Sequence, residues 1–121
     1  MINDYKTKIQ LKARRAAKEK RYVRLMTKEY TLGLFVFMGR SHDYVLDNET
    51  CTCSSYLFNC IYRKTNEYCY HIIGLNYALE SDQILTIALP LNEIKDVLSE
   101  IYSYGKSLKL RKILNDMIKN E

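Results

Sequence analysis

All four cysteines of this chain lie close together in the sequence, and one of the two histidines follows them directly. Cys51 and Cys53 are separated by one residue, and Cys69 and His71 repeat that spacing after residues 54–68. Disulfides that staple a small fold are usually spread over it, whereas clustered thiols in a reducing compartment more often bind metal or perform redox chemistry. The cluster therefore predicts a metal site that draws two separate parts of the chain to one point.

The sequence does not indicate export or membrane insertion. Residues 1–6 lack the apolar core of a secretory signal. The longest apolar run, near residues 32–38, is much shorter than the roughly 20 residues of a membrane helix. We therefore expect a cytoplasmic protein of one globular domain with no membrane partner. Abundant Lys, Ile and Tyr beside only two Gln residues favour a thermophilic source, archaeal or viral.

The spacing within each pair suits a tetrahedral metal ion. Side chains two residues apart in an extended segment point to the same side, so Cys51 and Cys53 direct both sulfur atoms to one point. Cys69 and His71 stand where a helical pattern begins. Three thiolates and one imidazole fill the shell of a structural zinc ion and leave no position for water or substrate. We predict zinc at these four residues as a cofactor that stabilises the fold, and no catalytic residue.

Two further side chains could join the metal site. Cys60 is an alternative to Cys53, but its apolar neighbours favour a buried thiol that packs as a small hydrophobic group. His42 lies in a predicted turn, where a solvated imidazole is the usual outcome. Both therefore remain alternatives outside the predicted ligand set.

The chain pattern predicts an α+β fold, with a zinc-stabilised β-hairpin or short sheet and a helix, flanked by a basic N-terminal helix and two C-terminal helices. Predicted segments are 1–28 for the basic helix, 29–82 for the zinc-binding core and 83–121 for the helical remainder. In the first half of the chain, the predicted elements are a helix at 3–26, strands at 34–38 and 43–47, and an extended piece at 51–53. In the second half they are a helix at 71–79, a strand or connector at 84–89, and helices at 93–104 and 108–119. Asn92 is the predicted N-cap of the helix at 93–104, and Gly105 is its predicted C-terminal stop.

Positive charge is concentrated in the first segment. Ten Lys or Arg residues face two acids in residues 1–28, within a chain of net charge +5. Such a segment attracts phosphate backbones or an acidic protein, although a solvated helix would carry the same charges. Tyr56, Tyr62, Tyr68 and Tyr70 near the predicted metal are candidates for stacking on bases, or for ordinary packing. Our candidate nucleic-acid-binding residues are Lys12, Arg14, Arg15, Lys18, Arg21 and Arg24.

The middle of the chain resembles the SWIM zinc-finger family, over roughly residues 34–80. The resemblance is carried by Tyr44-Val45-Leu46, by Cys51-Thr52-Cys53, by Cys69-Tyr70-His71-Ile72-Ile73, and by Ala78-Leu79. Members of that family bind zinc through Cys-x-Cys and Cys-x-His with a variable spacer, followed by an apolar helix. The resemblance implies DNA binding or protein–protein interaction, often beside recombination, chromatin or transposition factors.

The sequence is compatible with three functions. The first is a zinc-supported module that binds DNA or helps to assemble a DNA-associated complex. The second is a protein–protein adaptor without nucleic-acid contact, in which the C-terminal helices bind a partner or form a homodimer. The third is a redox-sensitive zinc switch. We expect no enzymatic activity, because neither histidine lies in the His-x-Glu pattern of zinc deaminases and four protein ligands close the predicted site.

Overall fold

A computed structural model describes residues 2–29, 33–53, 56–57, 61 and 68–119, with side chains described between residues 7 and 117 of these ranges. Within them the fold is α+β, as predicted. Among the described helices, none combines the length and the apolar character that crossing a membrane requires. The elements are α1 (Ile2–Lys18), β1 (Tyr22–Met26), β2 (Gly33–Met38), β3 (Asp43–Leu46), α2 (Tyr70–Glu80), β4 (Leu85–Ala88), α3 (Leu91–Tyr104) and α4 (Leu108–Lys119).

The four strands form one mixed sheet in the order β3-β2-β1-β4. The predicted hairpin is confirmed, because β2 and β3 pair antiparallel from Met38 opposite Asp43 to Phe35 opposite Leu46. β1 pairs antiparallel with β2 and parallel with β4. The sheet therefore takes a strand from each of the predicted segments 1–28, 29–82 and 83–121.

The predicted helix over residues 3–26 is wrong in its second part. α1 ends at Lys18, and Lys20 has a φ of 58°, in the left-handed region that interrupts a helix. Aromatic Tyr22 and β-branched Val23 favour a strand, and β2 and β4 supply hydrogen-bonding partners on both sides. Tertiary pairing thus overrides the helix-forming composition.

Side chains of the sheet alternate between two apolar layers. Tyr22 and Phe37 point toward α1 and α2, whereas Val23, Leu25 and Val36 pack with buried residues of α3 and α4. All five are almost fully buried. The sheet is therefore covered by helices on both faces, and the predicted metal-binding residues lie in the layer of α1 and α2.

The C-terminal helices follow the predicted bounds closely. Gly105 ends α3 with a φ of 81°, as predicted, and its N–H donates to the carbonyl of Ile101 at 2.8 Å. The predicted N-cap is wrong, because Pro90 occupies that position and Asn92 lies within the first turn. The ring of proline fixes a φ that suits the start of a helix. Pro90 therefore takes the N-cap position, and no side chain makes a capping hydrogen bond there.

An ion pair with a buried carboxylate and a partly exposed guanidinium joins the C-terminal helices to the β2–β3 turn. The Asp43 carboxylate is fully buried and accepts from Arg111 at 2.5 and 3.2 Å and from the backbone N–H of Ser107 at 2.9 Å. The same guanidinium donates to the carbonyls of Gly39 at 3.0 Å and Arg40 at 3.3 Å. This network fixes the turn that follows β2 against the start of α4.

Removal of this guanidinium should destabilise the protein. Arg111→Ala leaves the Asp43 carboxylate buried with only its backbone donor, so the free energy of unfolding should fall by about 2–3 kcal/mol. Urea denaturation at neutral pH measures it. Lys112, the exposed residue next to Arg111, provides the control. Lys112→Ala should change the free energy of unfolding by less than about 0.5 kcal/mol. An equal effect of both variants would contradict the importance assigned to the pair.

Candidate metal centre

The structure brings Cys51, Cys53, Cys69 and His71 together. Their candidate ligand atoms all lie within 4.8 Å of one another, and all four residues are buried. Nδ1 of His71 is 3.8 Å from Sγ of Cys51 and 3.9 Å from Sγ of Cys69. Zinc–sulfur and zinc–nitrogen bond lengths place such atoms about 3.6 Å apart on a tetrahedron. The cluster therefore has a geometry compatible with a metal ion, in the manner of zinc-finger sites.

A short turn after β3 presents the first pair of thiols. Asp47 accepts hydrogen bonds through Oδ1 from the backbone N–H groups of Glu49 and Thr50, both at 2.7 Å. The chain then runs back along β3, with Cys51 bridged to Leu46. Cys51 and Cys53 are buried while Thr52 between them is exposed, which is the alternation expected of an extended segment.

The second pair of ligand candidates is presented by the start of α2. Cys69 is the N-cap of this helix and His71 lies in its first turn. The buried hydroxyl of Tyr22 donates to the carbonyl of His71 at 2.7 Å and ties this turn to β1. A Cβ at Gly74 would collide with that hydroxyl and come within 2.9 Å of the carbonyl of Ala13. The glycine therefore allows α1, α2 and β1 to meet beside the cluster.

Aromatic rings surround the imidazole. Its ring centroid is 4.1 Å from that of Tyr70, 4.4 Å from that of Phe37 and 4.9 Å from that of Tyr44. Because β2, β3 and α2 all contribute rings, the orientation of His71 depends on the assembled fold. Packing thus holds Nδ1 toward the thiols.

The thiols influence one another strongly. Hydrogen bonds from the side chains of Cys51 and Cys69 lower the pKa of Cys53. The reciprocal hydrogen bonds to Cys53 and Cys69, together with burial, raise the pKa of Cys51. The backbone N–H of Tyr56 also donates to Sγ of Cys53 at 3.3 Å. Three neighbouring buried thiolates would repel one another, so full ionisation requires a compensating cation, which this donor set fits.

The six basic residues predicted to bind nucleic acid do not share one surface. Lys12, Arg15 and Arg21 line a cavity of about 500 Å³, whereas Arg14 and Lys18 line a different one. The guanidinium of Arg24 lies over the ring of Phe35, 5.2 Å from its centroid. Successive helical residues point about 100° apart, which separates Arg14 from Arg15.

Sequence reasoning missed Arg40, which joins Lys12, Arg15 and Arg21 at the larger cavity. It follows β2, in the turn between β2 and β3, and its position in the sequence contains no signal of proximity to α1. The hairpin prediction placed it only in a turn.

The remaining candidates are the tyrosines predicted to stack on bases or pack, and the two alternative metal ligands. Tyr56, Tyr68 and Tyr70 pack against the buried layer that contains the thiols, in line with a packing role. His42 is exposed in the turn after β2, and its Nδ1 is 3.0 Å from the Ser41 hydroxyl. Cys60 and Tyr62 lie outside the described residues.

Comparison with known proteins gives no relative for this chain: no family profile, curated protein or solved structure matches it. The resemblance to SWIM fingers therefore rests on the two motifs and on the cluster that they form. That cluster supports a zinc-finger-like site.

Metal content tests the ligand set. The purified chain should hold one metal ion, and the double variant Cys51→Ser, Cys53→Ser should hold none, because two of four ligand atoms lose their thiolate character. Elemental analysis after gel filtration measures both. Cys60→Ser is the matched thiol control and should retain the ion. A folded wild-type chain without metal would contradict the assignment.

The Asp47 turn offers a second test. Asp47→Ala should lower the free energy of unfolding by about 1 kcal/mol at pH 7, and Asp47→Asn, which keeps an acceptor oxygen, should lower it less. The two backbone N–H groups hold the pKa of Asp47 below its usual range. Its stabilisation is therefore present above the unfolded pKa of about 3.9 and is lost as the pH falls through the lower folded pKa. Urea denaturation of the metal-loaded variants measures the difference, and an equal loss in both would contradict the acceptor role.

Proposed function

We propose that the chain is a nucleic-acid-binding module, held together by a structural zinc ion, that acts on DNA or in the assembly of a DNA-associated complex. The choice of zinc follows from the donor set, because thiolates with one imidazole in a tetrahedral arrangement are typical of zinc. Cys51, Cys53, Cys69 and His71 would hold the ion. When bound, it supplies charge compensation and a cross-link between the turn after β3 and the start of α2.

On this proposal the chain is not an enzyme. Four protein ligands fill the zinc coordination shell and leave no open position for a substrate. Burial of all four also favours a structural role. The low exposure of the three thiols, between 2% and 8%, gives no support to the redox alternative, since an oxidant must reach the sulfur atoms.

The observation that carries the nucleic-acid proposal is the convergence of four cationic side chains beside the metal centre. Lys12, Arg15, Arg21 and Arg40 line one cavity together with Tyr70, which adjoins His71. α1, the β2–β3 turn and α2 contribute to this surface, so folding creates it. A cluster of this kind neutralises phosphates and releases their counterions.

A protein–protein adaptor is the second candidate, and exposed apolar side chains of α3 and α4 favour it. Tyr102, Tyr104 and Leu108 are 67%, 78% and 66% exposed, at the junction of the two helices. This surface would suit a protein partner or a second copy of the chain. It lies on other elements than the basic cavity, so the two functions can be tested separately.

Salt dependence separates the two candidates. Nucleic-acid affinity of the zinc-loaded chain should fall steeply with salt, with a log–log slope of about −3 for a single strand, or about −3.6 for a duplex, if four phosphates are contacted. Fluorescence anisotropy with a labelled DNA measures it. Tyr102→Ser with Leu108→Ser is the control and should leave the affinity unchanged. Absence of binding at low salt would leave the adaptor as the better account.

A further inference from the structure

Two cavities next to the metal centre form one continuous surface, which we call the basic groove. Arg21, Phe37, Arg40 and Tyr70 line both of them. One has a volume of about 500 Å³ and the other of about 380 Å³. Cys53 and His71 line the second cavity, so the basic groove adjoins the candidate metal centre.

One side of the basic groove carries uncompensated positive charge. Lys12, Arg15 and Arg40 are exposed and have no ion-pair partner among the described residues. The one acid among the described lining residues is Glu19, which is paired with Arg21 at 2.6 Å. The local charge is therefore strongly positive, which favours a ligand with several phosphates.

The other side of the basic groove is aromatic. The rings of His42 and Tyr44 are nearly parallel, with an interplanar angle of 8° and centroids 6.3 Å apart. Tyr70 is half-buried, and its ring centroid is 4.1 Å from that of His71 and 5.4 Å from the ammonium of Lys12. Tyr70 and Tyr44 both pack on His71, so the aromatic side of the basic groove adjoins the candidate metal centre.

We infer that the basic groove binds single-stranded nucleic acid, with phosphates on Lys12, Arg15 and Arg40 and a base against the aromatic side. This inference rests on the proposed function and specifies its substrate. Proteins that bind single strands combine a positively charged groove with aromatic rings that stack on bases. Duplex DNA is read by a helix or ribbon that projects into a groove of the nucleic acid, whereas the surface here is concave. A flexible strand with unpaired bases can enter it.

The test compares two matched charge reversals. Arg15→Glu with Arg40→Glu changes the basic groove, and Arg14→Glu with Lys18→Glu makes the same charge change at the separate cavity on α1. Each zinc-loaded variant is titrated, by fluorescence anisotropy at low salt, against a labelled mixed-sequence DNA strand and against the same strand annealed to its complement. Zinc content and circular dichroism are recorded first for every variant.

We expect the wild-type chain to bind the single strand at least about tenfold more tightly than the duplex. The groove variant should lose about 100-fold in single-strand affinity, and the control variant less than about threefold. Tyr70→Leu should lose about tenfold, while Tyr70→Phe keeps the ring and the affinity. If Tyr70→Leu fails to hold zinc, His42→Ala tests the aromatic side in its place and should also weaken binding.

The outcomes separate the inference from the proposed function. Equal losses in the two charge-reversal variants would overturn the basic groove as the site, and duplex affinity equal to or above that of the single strand would overturn the substrate; in both cases nucleic-acid binding itself would stand. Absence of binding to either DNA at low salt would overturn both the inference and the proposed function.

Discussion

The central constraint on this fold is the gathering of three thiols and one imidazole in a buried site. Thiols this close cannot all ionise without a compensating cation, and an imidazole without a partner would be costly to bury. The surrounding structure brings the three thiols and the imidazole to one point. A turn after β3 returns Cys51 and Cys53 along the sheet, α2 begins at Cys69, and Tyr22 ties its first turn to the central strand. One apolar layer of the protein is organised around that meeting point.

Local patterns were sufficient to predict most elements of the fold and the convergence of the cluster. The β2–β3 hairpin consists of two short runs rich in aromatic and β-branched residues around a turn that begins with glycine. α2 and α4 have apolar residues at helical spacing, and Gly105 ends α3 where the left-handed conformation is required. The paired spacing of Cys51-Thr52-Cys53 and Cys69-Tyr70-His71 is likewise a local signal, because an extended segment and a helix start each orient two side chains together.

The failures have a common physical origin in long-range contacts. Residues 22–26 resemble a continuation of a basic helix, and only pairing with β2 and β4 makes them a strand. The same error placed Arg21 and Arg24 on the basic helix. In the fold Arg21 lines a cavity with Arg40, from the turn between β2 and β3, whereas Arg14 lines another and Arg24 lies over Phe35. The tertiary structure determines which charged side chains become neighbours. Composition therefore predicted the excess of positive charge but not its distribution over the surface.

The parallel pairing of β1 with β4 has a consequence for the order in which the chain folds. These strands lie at Tyr22–Met26 and Leu85–Ala88, with the hairpin, the metal-binding residues and α2 all between them. Closing so long a loop has a large entropic cost, which delays the pairing until intervening contacts form. A cation bridging residues 51–53 to 69–71 would shorten the effective loop before the sheet is complete. The ion would then accelerate folding as well as stabilise the folded structure.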